Sequence, residues 1–455
     1  MDPIITTFAD FCAGIADQPL PDDVVRCATD RLVDTIGCAI GGYGCAAARI
    51  GRDLAPRVSG EQPWPARWLS GATPVTNIEA AGFVNSAMIR YLDFNDTYPG
   101  GHPSDALGPV LAAADAIDAD GPALIRAVVV GYEIFIRLAV AARLREHGWD
   151  QGFGVGLATA GALSSLLGLD AATTAHALSI AAVSIMPMRA TRAGELSLWK
   201  GAATALAARE ATFAVLLARE GMTGPSEPVT GRHGLQDLVT GAFELAPFGT
   251  DGDRFLILST KTKYWPVEYN LQAVVWAAIE LRERCRVSEI ESVEVETYWS
   301  AWHETASERA KWDPRTRETA DHSMPYALAR TLTDGRLDLT AFEERAYLDP
   351  ALRPLIGRVA VHVADDIEAA FPAETRLRAT ALTTSGQRIR VEIINPLGDH
   401  RNPLSGAQLD DKFRRLVTPA AGVAAADRAL AALRAIADCP SVRPALDSLV
   451  PPADT

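Results

Sequence analysis

The chain has 455 residues, room for two or three domains around a large core, and 48% hydrophobic with 22% charged residues is an ordinary globular composition. With 43 Lys plus Arg against 57 Asp plus Glu the formal charge is −14, which argues against a nonspecific nucleic-acid or anionic-membrane surface; an anionic ligand would need a local basic pocket. Cys12, Cys27, Cys38, Cys45, Cys285 and Cys439 form no C-x-x-C pair, so a zinc ribbon or paired redox site is not expected and reduced buried thiols are.

The N-terminal text MDPIITTFADF has no basic-then-apolar pattern, so no signal peptide and a cytoplasmic location are expected. Residues 1–258 read as all-helical, Ala- and Leu-rich with Gly and Pro punctuation. One helix is expected to open at Thr76 in a capping box with Glu79, to run through Ile89 to about Leu92, and to deliver Asp93 at its C-terminal end. Next comes Asp93-Phe94-Asn95-Asp96-Thr97-Tyr98-Pro99-Gly100-Gly101-His102-Pro103-Ser104-Asp105, where Pro and Gly stop the helix. Ser104 is expected to cap the following helix, leaving His102 beside an N-terminus that suits a substrate carboxylate; Asp93, Asn95 and Asp96 are also residue types that merely cap and turn chains.

The uncharged run Gln151–Leu169 and the run through His176 to Met188 are rich in small residues and read as a packed helical hairpin rather than membrane spans. Arg189 and Arg192 interrupt apolar text, and Lys200 in Leu198-Trp199-Lys200-Gly201 opens an Ala-rich helix, placed to bind a carboxylate as a point charge or to act as a base. Lys263-Tyr264-Trp265-Pro266-Val267-Glu268-Tyr269-Asn270 lies at a compositional boundary, a natural cleft, with Glu268 and Asn270 at the entry of a helix from Gln272 through Leu281.

Between about 285 and 395 the hydrophobic period changes to two. Val293-Val295-Thr297 and Val359-Val361-Val363 read as strands, and Arg376 to Ile394 as a hairpin turning at Thr384-Ser385-Gly386-Gln387. Asp321-His322 is a weak acid/base signal, because Ser323 and Pro325 also make a helix start. Ser405 caps an expected helix to Leu416, another spans Ala424–Ala437, and the tail PPADT is expected to fray. No phosphate loop and no zinc-ligand spacing is present, so neither metal nor cofactor is expected.

Together LDFNDT and GHPSD (92–105), SLWKGAA (197–203), KYWPVEYNLQA (263–273), RETADHSMPYALA (317–329) and RNPLSGAQLDDKF (401–413) resemble the MmgE/PrpD family. The resemblance implies a mainly α protein, a homodimer, with an all-helical main domain (1–258), a smaller α+β lid domain (259–400) and C-terminal helices (401–455) that pack back on the main domain. It implies catalytic Asp93, His102 and Lys200, with Thr97, Arg192, Glu268 and Tyr326 binding substrate: Asp93 as base or as the group setting the state of a neighbouring His, His102 as acid or oxyanion partner. The implied activity is cofactor-free dehydration of a β-hydroxy polycarboxylate such as 2-methylcitrate. Decarboxylation, epimerisation and a noncatalytic binding role are the alternatives. Two departures stand out: Asn270 where dehydratases commonly have His, and Gln151-Gly152-Phe153-Gly154 where a histidine is expected. On this reading Asp93→Asn and Lys200→Ala abolish turnover and leave melting nearly unchanged.

Overall fold

A computed structural model describes residues 1–57, 64–248, 255–343 and 345–449; the tail expected to fray lies outside them. Apolar side chains collect into two main cores. The larger is built from helices Pro3–Gly14, Asp22–Gly41, Ile78–Tyr91, Leu107–Ile117, Gly121–Ala142, Gly152–Leu166, Ala171–Ser184 and Ala203–Arg219. Short polar residues start several of these: Asp2, Asp120 and Asp170 each accept a backbone N–H from the first turn.

Helix Gly152–Leu166 shows why its text is so rich in small residues. It is buried along nearly its whole length, and a Cβ on Gly161 would lie 2.2 Å from Ile134 Cδ1 of the neighbouring helix. The hairpin it forms with Ala171–Ser184 is therefore part of a globular core, and among the described residues no helix is long and apolar enough to cross a membrane.

The second core lies between residues 265 and 391. Its four-stranded sheet runs in the order Val359–Val363, Ile290–Thr297, Arg376–Thr383, Arg388–Ile394, the first pair parallel and the others antiparallel. Val293 pairs with Val359 and Val295 with Val361, so the alternating valines point to one buried face. Helix Gln272–Arg284 packs there, and Met324–Asp334 packs against that helix. The hairpin turns at Gly386, whose φ of +82° excludes most side chains.

Two helices then return to the first core. Gly406–Ala421 opens with a complete Ser405/Gln408 capping box and lays Leu409, Phe413 and Val417 against Asp22–Gly41; Val423–Arg434 follows it. Lys412 of the first returning helix is buried and donates to the carbonyls of Phe94 (2.7 Å) and Lys263 (2.9 Å), while pairing with Asp34 at 2.6 Å. One ammonium thus ties three distant segments to the returning helix.

Two expected caps are displaced. Asn77, not Thr76, caps Ile78–Tyr91 by accepting from Ala80 N; Thr76 instead pairs with Ala66 in a two-residue strand. Ser104 caps nothing, because its hydroxyl is bonded to the Asp96 carboxylate. A short 3-10 turn, Pro103–Ala106, leads into Leu107–Ile117 without a side-chain cap.

Candidate active site

The end of helix Ile78–Tyr91 places Asp93 in the left-handed region, at φ +49°, fully buried. Three cations converge on it: Arg90 at 2.8 Å, Lys200 at 3.0 Å, and Lys263, which contacts Oδ1 and also donates to the Asp93 carbonyl at 2.8 Å. Burial alone would raise its pKa, but Arg90, Lys200 and Lys263 outweigh it and hold the carboxyl well below its ordinary value. Lys200 also reaches Asp321 Oδ1 at 2.7 Å, and Arg317 reaches Asp321 Oδ2 at 3.2 Å. Among the described residues Asp93, Asp321 and His322 are close enough to share a cation, and the Lys200 ammonium already contacts each of them.

Two histidines border this cluster, each held through Nδ1. His102 Nδ1 lies 2.7 Å from the Asp96 carbonyl, an acceptor, so Nδ1 carries the proton and Nε2 the lone pair, 3.9 Å from Asp93 Oδ1. His322 Nδ1 lies 2.6 Å from the Asp321 carboxylate, an acceptor, and 3.2 Å from the Lys200 ammonium, a donor, so this ring is held between two partners of opposite character. Burial, with Arg90 and Lys263 beside it, keeps His102 well below the usual imidazole value; burial and Lys200 bring His322 down to about 4. Both rings are neutral near pH 7.

The loop holding His102 depends on a glycine. Gly101 has φ +152°, and a Cβ there would fall 1.7 Å from Gln151 Oε1, which accepts the His102 backbone N–H at 2.8 Å. Gln151 thus positions His102 from the segment where a histidine was expected. The substrate carboxylate expected at the helix start after Pro103 finds that place taken, because Asp96 accepts from both the Ser104 backbone N–H (3.3 Å) and hydroxyl.

These groups border an open cleft of about 560 Å³ between the two cores. Arg90, Arg145, Arg189 and Arg192 face it together with Asp150, Glu268 and Glu304, so this acidic chain does gather four guanidiniums at one place. Thr97 lines the cleft with its hydroxyl donating to the Gly101 carbonyl at 3.1 Å, and Arg192 is braced by Asp150 at 2.8 Å and the Lys200 carbonyl at 3.0 Å.

Glu268 joins from the side of the second core. Asn270 donates to it twice, N–H to Oε2 at 2.7 Å and Nδ2 to Oε1 at 3.0 Å, and Tyr298 fixes the amide by donating to Asn270 Oδ1 at 2.6 Å. Asn270, read from sequence as a departure, is a clamp on this carboxyl. Burial, only partly offset by Lys263, pushes Glu268 up to about 7. Its folded value exceeds the ordinary 4.5, so the folded chain holds the proton more tightly than the unfolded one. The contribution is full below about pH 4.5 and is lost as pH rises toward 7; Glu268→Gln should flatten that part of a pH series of denaturant midpoints.

Three of the residues expected at the site lie off the cleft lining. Tyr326 lies in the second core with its hydroxyl donating to the Ala341 carbonyl, and it does not line the cleft. Asp93 does not line it either: its oxygens face Arg90, Lys200 and Lys263, an arrangement that suits the expected alternative in which it sets the state of a neighbouring His. Lys200 lies behind the cleft, beside Arg90, Tyr91 and Glu318, with its ammonium on Asp93, Asp321 and His322. Asp321 and His322, read from sequence only as a weak acid/base pair, belong to the cluster, as do Arg90 and Lys263, to which sequence reasoning gave no role; Lys263 stood inside a quoted motif, whereas Arg90 carried no signal beyond its helix.

Residues 6–247 match the model of the MmgE/PrpD N-terminal domain and residues 265–438 that of the MmgE/PrpD C-terminal domain. The chain is 28% identical over 418 residues to the 2-methylcitrate dehydratase of Cupriavidus necator, covering 85% of this chain and 84% of that protein. It is 29% identical to the 2-methylcitrate dehydratase of Escherichia coli (strain K12), covering 84% of each, and 32% identical over 275 residues to a fungal alkylcitrate dehydratase, covering 56% of this chain and 54% of that protein.

Proposed function

The chain belongs to the MmgE/PrpD family and is a dehydratase of it; from that premise we propose that it eliminates water, without a cofactor, from 2-methylcitrate or a close β-hydroxy polycarboxylate. The observation that carries this reading is a cationic cleft holding a neutral histidine and a carboxyl that stays protonated near neutrality. Elimination needs that pairing of a base with an acid.

In this reading His102 Nε2 removes the proton from the carbon beside a substrate carboxylate. The C–H electron pair becomes the second bond of the alkene, the C–O bond breaks, and Glu268 gives its proton to the leaving hydroxyl, which departs as water. Solvent then returns one proton to Glu268 and takes one from His102. Arg192 and Thr97 hold the substrate, the first by charge and the second by its hydroxyl. Asp93 and Lys200 act at one remove, fixing His102 and His322. Residues 259–400 serve as the lid that excludes water, residues 401–455 brace the main domain, and the working form is a cytoplasmic homodimer.

The test is proton NMR of the purified chain in deuterated buffer with 2-methylcitrate, citrate and cis-aconitate in separate tubes. Alkene signals growing from 2-methylcitrate are expected. Loss of a carboxyl group from cis-aconitate would replace dehydration with decarboxylation, deuterium uptake without alkene would indicate an epimerase, and unchanged spectra would leave a binding protein. Adding EDTA should not change the rate, since Lys200 supplies the cation where Asp93, Asp321 and His322 meet. The rate should fall as pH rises past about 7, where Glu268 loses its proton; a basic limb that persists in Glu268→Gln would remove it from the acid role.

A further inference from the structure

The four arginines of the cleft are not equally neutralised. Arg90 is 2.8 Å from Asp93 and 3.6 Å from Asp105, and Arg192 donates to Asp150 at 2.8 Å. Arg145 and Arg189 instead share one carboxylate oxygen, Glu304 Oε1, with Arg145 at 2.9 Å. Two guanidiniums on one carboxylate leave a positive charge in excess on that wall of the cleft, which is the electrostatic requirement for holding a further anion.

The backbone explains why the two arginines meet. Asp150 N–H donates to the Pro187 carbonyl and Arg189 N–H to the Gly148 carbonyl, both at 2.9 Å, which joins the stretch after Arg145 to the one before Arg189. Glu304 arrives from the other side of the cleft, in the last turn of helix Trp299–Thr305. A second carboxylate, Glu308, accepts the Gly194 N–H at 3.2 Å, so this lid segment is tethered twice to residues 189–194.

We propose that Arg145 and Arg189 form a subsite for one carboxylate of the substrate and that Glu304 occupies it until substrate arrives, so that a polycarboxylate binds by exchanging with a carboxylate of the lid. The inference rests on the polycarboxylate reading above and adds to it a residue pair that selects for an extra carboxylate. Exchange of one carboxylate for another conserves charge, so the arginines are never left unpaired. It also couples binding to the lid, because the ligand takes the place of a lid side chain.

The experiment is calorimetric titration of the full chain with tricarballylate, which has three carboxylates and no hydroxyl to lose, and with glutarate, which has two. The wild type should prefer tricarballylate by about tenfold or more. Arg189→Gln and Arg145→Gln should each weaken tricarballylate by about tenfold and erase most of that preference, whereas Glu304→Gln should tighten it several-fold by removing the internal competitor. Arg145, whose side chain is 41% exposed, provides a variant with little risk to folding, and melting curves identify any variant that fails to fold. Equal or weaker binding by Glu304→Gln, full affinity in the arginine variants, or no wild-type binding of either probe would overturn the proposal. Failure of 2-methylcitrate to give an alkene while this binding pattern holds would remove the reaction and keep the subsite.

Discussion

Replacing Asp93 with asparagine should cost about 3–5 kcal/mol of folding stability as well as turnover, because Arg90, Lys200 and Lys263 would be left facing one another without their shared carboxylate. Sequence reasoning expects melting to be unaffected. The structure reverses that expectation, since Asp93 is the centre of a buried charge cluster and not a group reaching into the cleft. The pH dependence follows: the folded carboxyl titrates below its ordinary 3.8, so its stabilisation is complete above that value and lost as pH falls below it. Urea midpoints at pH 7 and pH 3 should lie closer together in Asp93→Asn than in the wild type. A melting curve unchanged at pH 7 would show the cluster to be far more hydrated than its geometry implies. Lys200→Met should show the complementary loss, and the double variant less than the sum, because both changes break one contact.

His102→Gln should lower kcat by about 10²–10⁴ while leaving the melting temperature nearly unchanged. Glutamine retains an N–H able to donate to the Asp96 carbonyl, yet it supplies no basic nitrogen where Nε2 stood. The wild-type imidazole is held well below 6.5 by burial and by Arg90 and Lys263, so activity should persist on the acid side of that value. A variant retaining more than a tenth of wild-type kcat would pass the base role to His322, the other imidazole that lines the cleft. Single-turnover measurement separates this from slow product release.

Much of the architecture was legible because its signals are local. The alternating valines at 293–297 and 359–363, the turn at Gly386 and the Ser405/Gln408 box each specify structure within a few residues, and each has its counterpart in the fold. The caps at Thr76 and Ser104 were misplaced for two reasons. Asn77 is as good an acceptor as its neighbour, which shifts the helix start by one position; and the partner of Ser104 is Asp96, fixed only when the Tyr98–Gly101 turn folds back.

The site was legible in its motifs and not in its connections. Asp93, His102, Lys200 and Glu268 stand in segments that any reading would single out, but their division into cleft-lining and buried groups depends on which side of Asp93 each cation approaches. The meeting of Arg145, Arg189 and Glu304 has no local signature, because a pairing at the cleft mouth leaves no periodicity in the chain. Tyr326 shows the reverse error, a motif residue whose hydroxyl is used inside the second core.

Lys412 carries a consequence for the order of events during synthesis. The carbonyls it holds belong to Phe94, the neighbour of Asp93, and to Lys263, the lysine paired with Asp93, yet Lys412 is made after both. A nascent chain that has emerged only as far as the second core has every residue of the cleft and lacks the clasp that ties their segments together. Activity should therefore appear abruptly, when the returning helix leaves the ribosome, and not grow with chain length; an unfinished chain would release no half-formed catalyst into the cell.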